Sequence, residues 1–201
     1  MDIYSDIPVI IPSLEPDDRI YEVVEALRQK GFKSLVIVDD GSGQEYRGYF
    51  EELARRGCVV LRHAINLGKG RALKTAFNYC MLAYPEMIGC ITVDSDGQHS
   101  ADDTLALAEA LRDNPQKLIM GCRDFSSDKV PFKNKYGNRI TVSMFRIFCG
   151  VSCSDTQTGL RAIPLSFMKP LMEVFGERFE FESYMLAEAK RNGVELFEVP
   201  I

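Results

Sequence analysis

Short apolar runs rich in β-branched residues alternate along this chain with segments whose apolar residues repeat at helical spacing. Between the first two runs, for example, Ile20, Val23, Val24 and Leu27 fall on one face of a helix. Uniformly apolar strands that alternate with helices are typical of a mostly parallel central sheet covered by helices on both faces. The sequence therefore predicts an α/β fold, with strands at Pro8–Ile11, Leu35–Val38, Cys58–Leu61, around Ile91, at Lys117–Cys122 and at Val194–Pro200.

The length and charge of the chain limit what it can be. Its 201 residues are 46% hydrophobic and 26% charged, which suits a single domain over 1–201 with a sizeable core. The net charge is −5, and no run is rich in Lys or Arg. Because phosphate contacts to nucleic acid need clustered positive charge, the composition argues against a nucleic-acid partner.

The cysteines predict no zinc site and no disulfide framework. There are six, mostly inside apolar runs, and none forms a C-x-x-C pair. Reduced thiols in a cytosolic compartment are the expectation for such a pattern. No signal peptide is visible, and no apolar run approaches the roughly 18–20 residues that a membrane span needs.

Polar residues follow the predicted strands at the point where each strand ends. In parallel α/β sheets ligands bind at the carboxyl ends of the strands, so one cleft could collect these residues. The polar residues at strand ends are Ser13, Glu15, Asp39, Asp40, Asn66, Lys69, Asp94, Asp96 and Arg123.

The stretch Ile91–His99 carries two carboxylates one residue apart, Asp94 and Asp96. Strand alternation would send both to one side, and a loop would also let them converge. Two carboxylates that close repel unless a proton or cation separates them, and Mg2+ favours one or two carboxylates plus substrate phosphates. Gln98 could add a neutral oxygen. The alternative is a polar turn before a helix capped by Ser100 or Asp102.

Two further motifs each admit a structural and a functional interpretation. Asp39-Asp40-Gly41-Ser42 could be only a turn, or Asp40 could accept from a ring N–H or a hydroxyl. Gly68-Lys69-Gly70 is not a P-loop, because that motif would need Gly at position 63, which is His63. A lysine at a helix N-terminus still suits an anionic ligand, although a flexible loop with a surface lysine is the alternative.

Beyond residue 125 the alternation of apolar strands with helices becomes less regular. A Phe-rich helix over 138–148 is predicted to lie in the core, and 154–161 forms a second polar cluster. Asp155 and Arg161 could form a structural salt bridge. Arg123, Arg139 and Arg161 could instead bind a phosphorylated acceptor, because arginine holds phosphate with two parallel hydrogen bonds.

Together these segments resemble family 2 glycosyltransferases with the GT-A fold, in the branch of the dolichyl- and polyprenyl-phosphate sugar transferases. The similarity covers nearly the whole chain, and the order and spacing of its motifs carry it. The motifs are Val38-Asp39-Asp40-Gly41-Ser42, Asn66-x-Gly68-Lys69-Gly70-x-Ala72-Leu73, Asp94-x-Asp96-x-Gln98, Gly159-Leu-Arg161-Ala162 and Phe181-Glu182.

The resemblance implies roles for individual residues. Glu15-Pro16 departs from the Asn-Glu of many relatives, which bears on the choice of base. By the resemblance, the residues that bind the nucleotide sugar are Pro12, Ser13, Glu15, Asp40, Lys69, Asp94 and Arg123. The metal ligands for Mg2+ or Mn2+ are Asp94, Asp96 and Gln98, the acceptor phosphate residues are Arg123 and Arg139, and the catalytic residues are Asp96, Asp155, Arg161 and Glu182.

The resemblance also implies an activity: metal-dependent, inverting transfer of a hexose from a UDP- or GDP-sugar to a polyprenyl phosphate at the cytoplasmic face of a membrane. The nucleotide-binding part would span about 1–124 and the acceptor side about 125–201. Relatives usually continue past the Val-Pro-Ile stretch, so a truncated catalytic domain, anchored to the membrane through segments absent from this chain, is expected.

Three alternatives remain open from the sequence. The first is a family 2 enzyme that acts on a glycan or another hydroxyl, and the second is a nucleotide-sugar binding protein without catalysis. The third is a phospho-acceptor receiver domain, suggested by the acidic pair after Val38. Receivers carry that pair after their first strand and are far shorter, which argues against this third alternative.

Overall fold

A computed structural model describes residues 6–123 and 158–201 of the chain. In these ranges one sheet of seven strands forms the centre of the molecule. The strands are β1 Val9–Ser13, β2 Leu35–Asp39, β3 Val59–Arg62, β4 Gly89–Thr92, β5 Leu118–Cys122, β6 Arg161–Pro164 and β7 Leu196–Pro200. The helices are α1 Arg19–Gln29, α2 Arg47–Arg55, preceded by a 3-10 turn at Gln44–Tyr46, α3 Lys69–Ala83, α4 Ala101–Asp113, α5 Leu165–Glu173 and α6 Glu180–Arg191.

The sheet is mostly parallel, as predicted. Its strand order is β3-β2-β1-β4-β6-β5-β7, and β6 alone runs antiparallel to its neighbours β4 and β5. The sequence analysis missed β6 and read its first residue, Arg161, as part of a polar cluster. The strand has only four residues, begins with Arg and ends with Pro, so no apolar run marks it.

The strand β4 ends at Thr92, which decides between the two geometries considered for the acidic pair. Asp94 and Asp96 lie in the loop that follows, so loop conformation rather than strand alternation sets the direction of their side chains. Ser100 caps the next helix: its hydroxyl accepts from the backbone N–H of Asp103 in a reciprocal capping box.

Buried strand residues alternate between two apolar layers, one on each face of the sheet. Ile10, Val36 and Val38 pack with α3, α5 and α6, while Val9 and Ile37 pack with α1, α2 and α4. Because both faces are covered, the central strands are apolar at nearly every position, which is the pattern that identified them in the sequence.

The cysteines at 58, 80, 90 and 122 are buried free thiols, as expected for the described part of the chain. Burial raises the pKa of Cys80 to about 12. The predicted helix over 138–148 lies outside the described residues, as do Cys149 and Cys153. Among the residues described, no helix is both long and apolar enough to cross a membrane.

Candidate active site

A cavity of about 280 Å3 opens at the carboxyl ends of β1, β2 and β4. Polar residues that follow these strands meet there, as the sequence analysis predicted from the topology. The lining residues are Pro12, Ser13, Leu14, Asp40, Asn66, Gly68, Lys69, Asp94, Ser95, Asp96, Arg178 and Phe179.

The carboxylate of Asp40 is buried, and its hydrogen bonds stabilise the loop that forms part of the cavity wall. It accepts from the backbone N–H groups of Leu67 (2.9 Å) and Gly68 (2.8 Å), and His63 Nδ1 lies 2.8 Å from its Oδ1. His63 Nε2 in turn lies 2.9 Å from the hydroxyl of Thr75 on α3. Asp40 therefore ties the loop before α3 to the end of β2.

Ser13 and Glu15 lie close in sequence but in different surroundings. Ser13 is only 3% exposed and lines the cavity, and its Oγ is buried without a hydrogen-bond partner among the described residues. Glu15 is exposed and is not among the described residues that line the cavity. Its backbone N–H donates to Ser42 Oγ at 2.9 Å, and its φ of 49° is left-handed. The structure thus brings Ser13 to the cavity and leaves the Glu15 side chain at the surface.

Lys69 lies between two carboxylates. Its Nζ is 2.7 Å from Asp94 Oδ1 and 3.0 Å from Glu182 Oε2, and the other oxygen of Glu182, Oε1, is buried without a hydrogen bond. Burial disfavours the charged amine, but the charges of Glu182 and Asp94 outweigh burial, and the pKa of Lys69 lies above its ordinary value. The ammonium therefore neutralises part of an otherwise acidic wall.

The two glycines around Lys69 permit close packing against the chain before α6. A Cβ at Gly68 would lie 2.4 Å from the carbonyl oxygen of Glu177, and one at Gly70 would lie 2.6 Å from Phe181 Cβ. Only glycine allows α3 to start this close to residues 177–181. The Gly-Lys-Gly motif therefore works through packing that brings Lys69 to Glu182.

Asp96 lines the cavity beside Asp94 and is half-buried. Its Oδ1 accepts the backbone N–H of Gln98 at 3.1 Å, and the Gln98 side-chain amide donates to its Oδ2. Gln98 itself is exposed and is not among the described lining residues. Across 6–123 and 158–201, no group of three His, Cys, Asp or Glu side chains is arranged to hold a metal ion. Two hard carboxylates at a cavity fit a divalent cation that also binds ligand phosphate.

A family model described as glycosyl transferase family 2 matches residues 9–167. The chain belongs to this family. It is a glycosyltransferase, and the expectation drawn from the motifs is confirmed. Enzymes of this family use nucleotide-sugar donors and generally a divalent cation.

Individual relatives agree with the family assignment. The chain is 30% identical over 202 residues to an uncharacterised protein of Methanocaldococcus jannaschii, covering 98% of this chain and 81% of that protein. It is 27% identical to a UDP-N-acetylglucosamine–dolichyl-phosphate N-acetylglucosaminyltransferase of Methanococcus voltae, covering 96% of this chain and 83% of the relative. The fold resembles that of mannosyl-3-phosphoglycerate synthase from Rubrobacter xylanophilus, with a TM-score of 0.72, 12% identity, and 96% of this chain and 64% of that one covered.

Arg161 of this glycosyltransferase lies in the protein interior. Its side chain is fully buried, and it is absent from the described residues of the cavity wall. The guanidinium donates to the backbone carbonyls of Thr158 (3.1 Å) and Glu182 (2.6 Å). Arg161 thus joins β6 to the start of α6, which carries Glu182, and its contact with a phosphate stays a prediction.

Gly159 shows why the stretch before Arg161 contains a glycine. A Cβ at this position would lie 2.2 Å from Asp94 Oδ2. The hydroxyl of Thr92 donates to the Gly159 carbonyl at 2.9 Å, which holds the two segments together. The Gly-Leu-Arg motif therefore leaves room for the carboxylate of the acidic pair.

The remaining predicted residues are only partly placed. Arg123 follows β5 and is half-buried, and it is not among the described lining residues. Its charge acts on His99, whose pKa is lowered mainly by burial and further by Arg123, against the opposing charges of Asp94 and Asp96. Arg139 and Asp155 lie outside the described residues.

Sequence reasoning missed Arg178 and Phe179, which both line the cavity. They reach it because α3 holds the preceding segment: Lys74 Nζ donates to the carbonyl of Val174 at 2.6 Å, and the Arg71 N–H donates to that of Glu177 at 2.9 Å. No local motif marks residues 178–179. The only available signal was their position directly before the Phe181-Glu182 motif.

Proposed function

We propose that this glycosyltransferase moves a hexose from a nucleotide diphosphate sugar to a polyprenyl phosphate, with inversion at the anomeric carbon. The observation that carries the proposal is the shared cavity. It combines an acidic pair, Asp94 and Asp96, with a buried hydroxyl at Ser13 that has no partner. The relative from Methanococcus voltae, named for transfer to dolichyl phosphate, supports the choice of acceptor.

Asp94 and Asp96 would hold Mg2+ or Mn2+, with Gln98 close enough to Asp96 to orient it. The cation would supply Lewis-acid stabilisation of the leaving diphosphate. Lys69, already paired with Asp94, keeps this side of the cavity less acidic than three carboxylates alone would make it.

Ser13 and Asp40 would bind the nucleoside. The Ser13 hydroxyl is buried at the cavity and can both donate and accept. The Asp40 carboxylate has about four acceptor sites, and its contacts to Leu67, Gly68 and His63 leave capacity for a ribose hydroxyl or a ring N–H. Pro12 closes the wall beside them.

The acceptor decides whether a general base is needed. A phosphate oxygen is already anionic near neutrality, so it attacks without losing a proton. A hydroxyl would need a carboxylate within hydrogen-bond reach. Glu182 is held in an ion pair with Lys69, and protonation would break that pair, which favours the phosphate acceptor.

A hydroxyl acceptor is the second candidate, and one observation favours it. The Oε1 atom of Glu182 is buried without a hydrogen-bond partner and could receive a proton. Replacing Glu182 with Gln separates the candidates. Severe loss of kcat favours a hydroxyl acceptor, whereas a phosphate acceptor needs no such base and should retain most of kcat.

The test is calorimetric titration with UDP, GDP and their sugar conjugates, first with Mn2+ and then with chelator. We expect metal-dependent binding of one nucleotide series, followed by sugar transfer to a polyprenyl phosphate and none to the matching prenyl alcohol. Transfer to the prenyl alcohol instead would overturn the assignment of a phosphate acceptor. Absence of nucleotide binding by the folded protein would overturn the whole proposal.

A further inference from the structure

The cavity contains one cation that the sequence motifs do not mark. Arg178 lines the cavity from the segment before α6, and its Nη1 donates to the neutral amide oxygen of Asn66 at 3.4 Å. In the ranges the structure describes, its guanidinium forms no ion pair. Lys69, the other cation among the described lining residues, is already shared by Asp94 and Glu182.

The charge of the cavity wall makes Arg178 important for an anionic ligand. Among the lining residues that the structure describes, three carry carboxylates, Asp40, Asp94 and Asp96, and two are cations, Lys69 and Arg178. A ligand carrying phosphate would be repelled by this wall unless positive charge faces it. Because Lys69 is committed to carboxylates, Arg178 is the described lining residue best able to bind phosphate.

A second observation indicates that the same cavity holds a polar ligand. Ser13 lines the cavity, and its buried Oγ has no hydrogen-bond partner within residues 6–123 and 158–201. A buried hydroxyl without a partner is unfavourable, because the group loses its hydrogen bonds to water and gains none in exchange. Such groups usually indicate a missing partner, which a bound ligand would supply.

Hydrogen bonds from neighbouring residues hold the backbone at Arg178 in place. Glu180 Oε1 accepts the backbone N–H groups of Glu177 (3.1 Å) and Arg178 (3.2 Å). The carbonyl of Glu177 accepts the N–H of Arg71 on α3, and Lys74 lies 3.3 Å from the Glu177 carboxylate. The backbone at Arg178 is therefore held against α3, while its side chain is exposed, so the segment itself need not be ordered when the side chain binds a ligand.

We propose that Arg178 binds a phosphate group of a reactant, as a residue distinct from Arg123, Arg139 and Arg161. The identity of the reactant rests on the proposed function. The phosphate belongs either to the diphosphate of the donor or to the acceptor, and the shared chemistry is a guanidinium that makes two parallel hydrogen bonds to phosphate oxygens.

The experiment compares the unchanged protein with Arg178→Gln, Arg178→Lys and a matched control, Arg191→Gln. Arg191 lies on α6, is exposed and pairs with Glu188 at 3.3 Å, so this control removes the same charge outside the cavity. Circular dichroism checks that each variant is folded. Calorimetry then measures binding of UDP, GDP, the two nucleosides and inorganic pyrophosphate, and a transfer assay gives the KM for a short polyprenyl phosphate.

We expect Arg178→Gln to weaken nucleoside diphosphate binding about tenfold or more, which is the range for a lost hydrogen bond to a charged group. Nucleoside binding should be unchanged, Arg178→Lys should recover part of the loss, and Arg191→Gln should have no effect. If the donor is unaffected and only the KM of the polyprenyl phosphate rises, the phosphate is that of the acceptor.

Two results would overturn the assignment. Equal weakening of nucleosides and nucleoside diphosphates would show that Arg178 only holds the loop at Asn66. No change in diphosphate, pyrophosphate or acceptor binding would exclude a phosphate contact. If the unchanged protein binds no nucleotide, the proposed function fails. Pyrophosphate binding then tests Arg178 by itself. Equal affinities of the unchanged protein and of Arg178→Gln for pyrophosphate would overturn the role of Arg178.

Discussion

The two sides of the cavity are built differently. At the β1–β2 side, main-chain groups hold the key carboxylate, since Asp40 accepts from the N–H groups of Leu67 and Gly68. At the β4–β6 side, side-chain charges hold one another, since Lys69 bridges Asp94 and Glu182. Backbone hydrogen bonds hold the carboxylate on the first side, whereas ion pairs between side chains hold the carboxylates on the second.

The difference shows which side can respond to a ligand. Backbone hydrogen bonds inside a packed loop are kept unless the loop itself moves. An ion pair between long side chains can exchange partners when a charged ligand or a cation enters. We therefore expect the larger effects from changes at the β4–β6 side, on activity where a proposed cation ligand is lost and on stability where a charge loses its partner. Changes at the β1–β2 side should have smaller effects, on stability and donor affinity.

The largest effect is expected from Asp96→Asn, which removes one of the two cavity carboxylates proposed to hold the cation. We expect loss of metal-dependent transfer by at least about a hundredfold, because the Lewis-acid contribution amounts to several kcal/mol. Stability should change little, since Asp96 is half-buried in a loop. Transfer rates and melting temperatures measure both. Asp102→Asn, at an exposed carboxylate of α4, is the control, and an unfolded Asp96→Asn protein would contradict the metal role.

The next effect is expected from Lys69→Met, which leaves Asp94 and Glu182 facing each other without the shared ammonium. Breaking a buried pair by removing one partner typically lowers the free energy of unfolding by about 3–5 kcal/mol, and the partial exposure here points to the lower end. Urea denaturation measures the loss. The double variant Lys69→Met with Glu182→Gln should recover part of it, and no recovery would mean that the carboxylates do not repel.

A smaller effect is expected from Gly159→Ala, because the added Cβ would lie 2.2 Å from Asp94 Oδ2. Overpacking typically lowers the free energy of unfolding by about 1–3 kcal/mol, and here it should also displace the carboxylate and weaken Mn2+-dependent nucleotide binding. Denaturation and calorimetry give the two readouts. Gly48→Ala on α2 is a matched control, since its Cβ would meet nothing within 4 Å; equal behaviour of the two variants would contradict the steric argument.

The smallest effect is expected at the β1–β2 side, from His63→Ala. This change removes the contacts to Asp40 and Thr75 and should lower the free energy of unfolding by about 1–3 kcal/mol. The donor KM should rise severalfold while kcat stays nearly constant, because Leu67 and Gly68 still hold Asp40 in part. A fall in kcat with unchanged KM would contradict the division between the two sides. Steady-state kinetics separate the two results.

The fold class and the edge of the sheet at which the cavity forms could both be predicted from the amino-acid pattern. Apolar runs such as Leu35–Val38 identify buried parallel strands, because both faces of such a strand are covered. Strand ends then locate Ser13, Asp40 and Asp94 at one edge, since parallel strands all end on the same side. Motif order also indicated the family, which the match over 9–167 confirmed.

Only the tertiary structure decided which charges meet. The antiparallel strand β6 buries Arg161 instead of placing it in the described cavity wall, and close packing at Gly68 and Gly70 brings Glu182 to Lys69. The same packing places Arg178 in the cavity without any motif of its own. These contacts join residues about a hundred positions apart, so they depend on how helices dock on the sheet. The spacing of apolar residues within one helix or strand does not indicate how that element docks on the sheet.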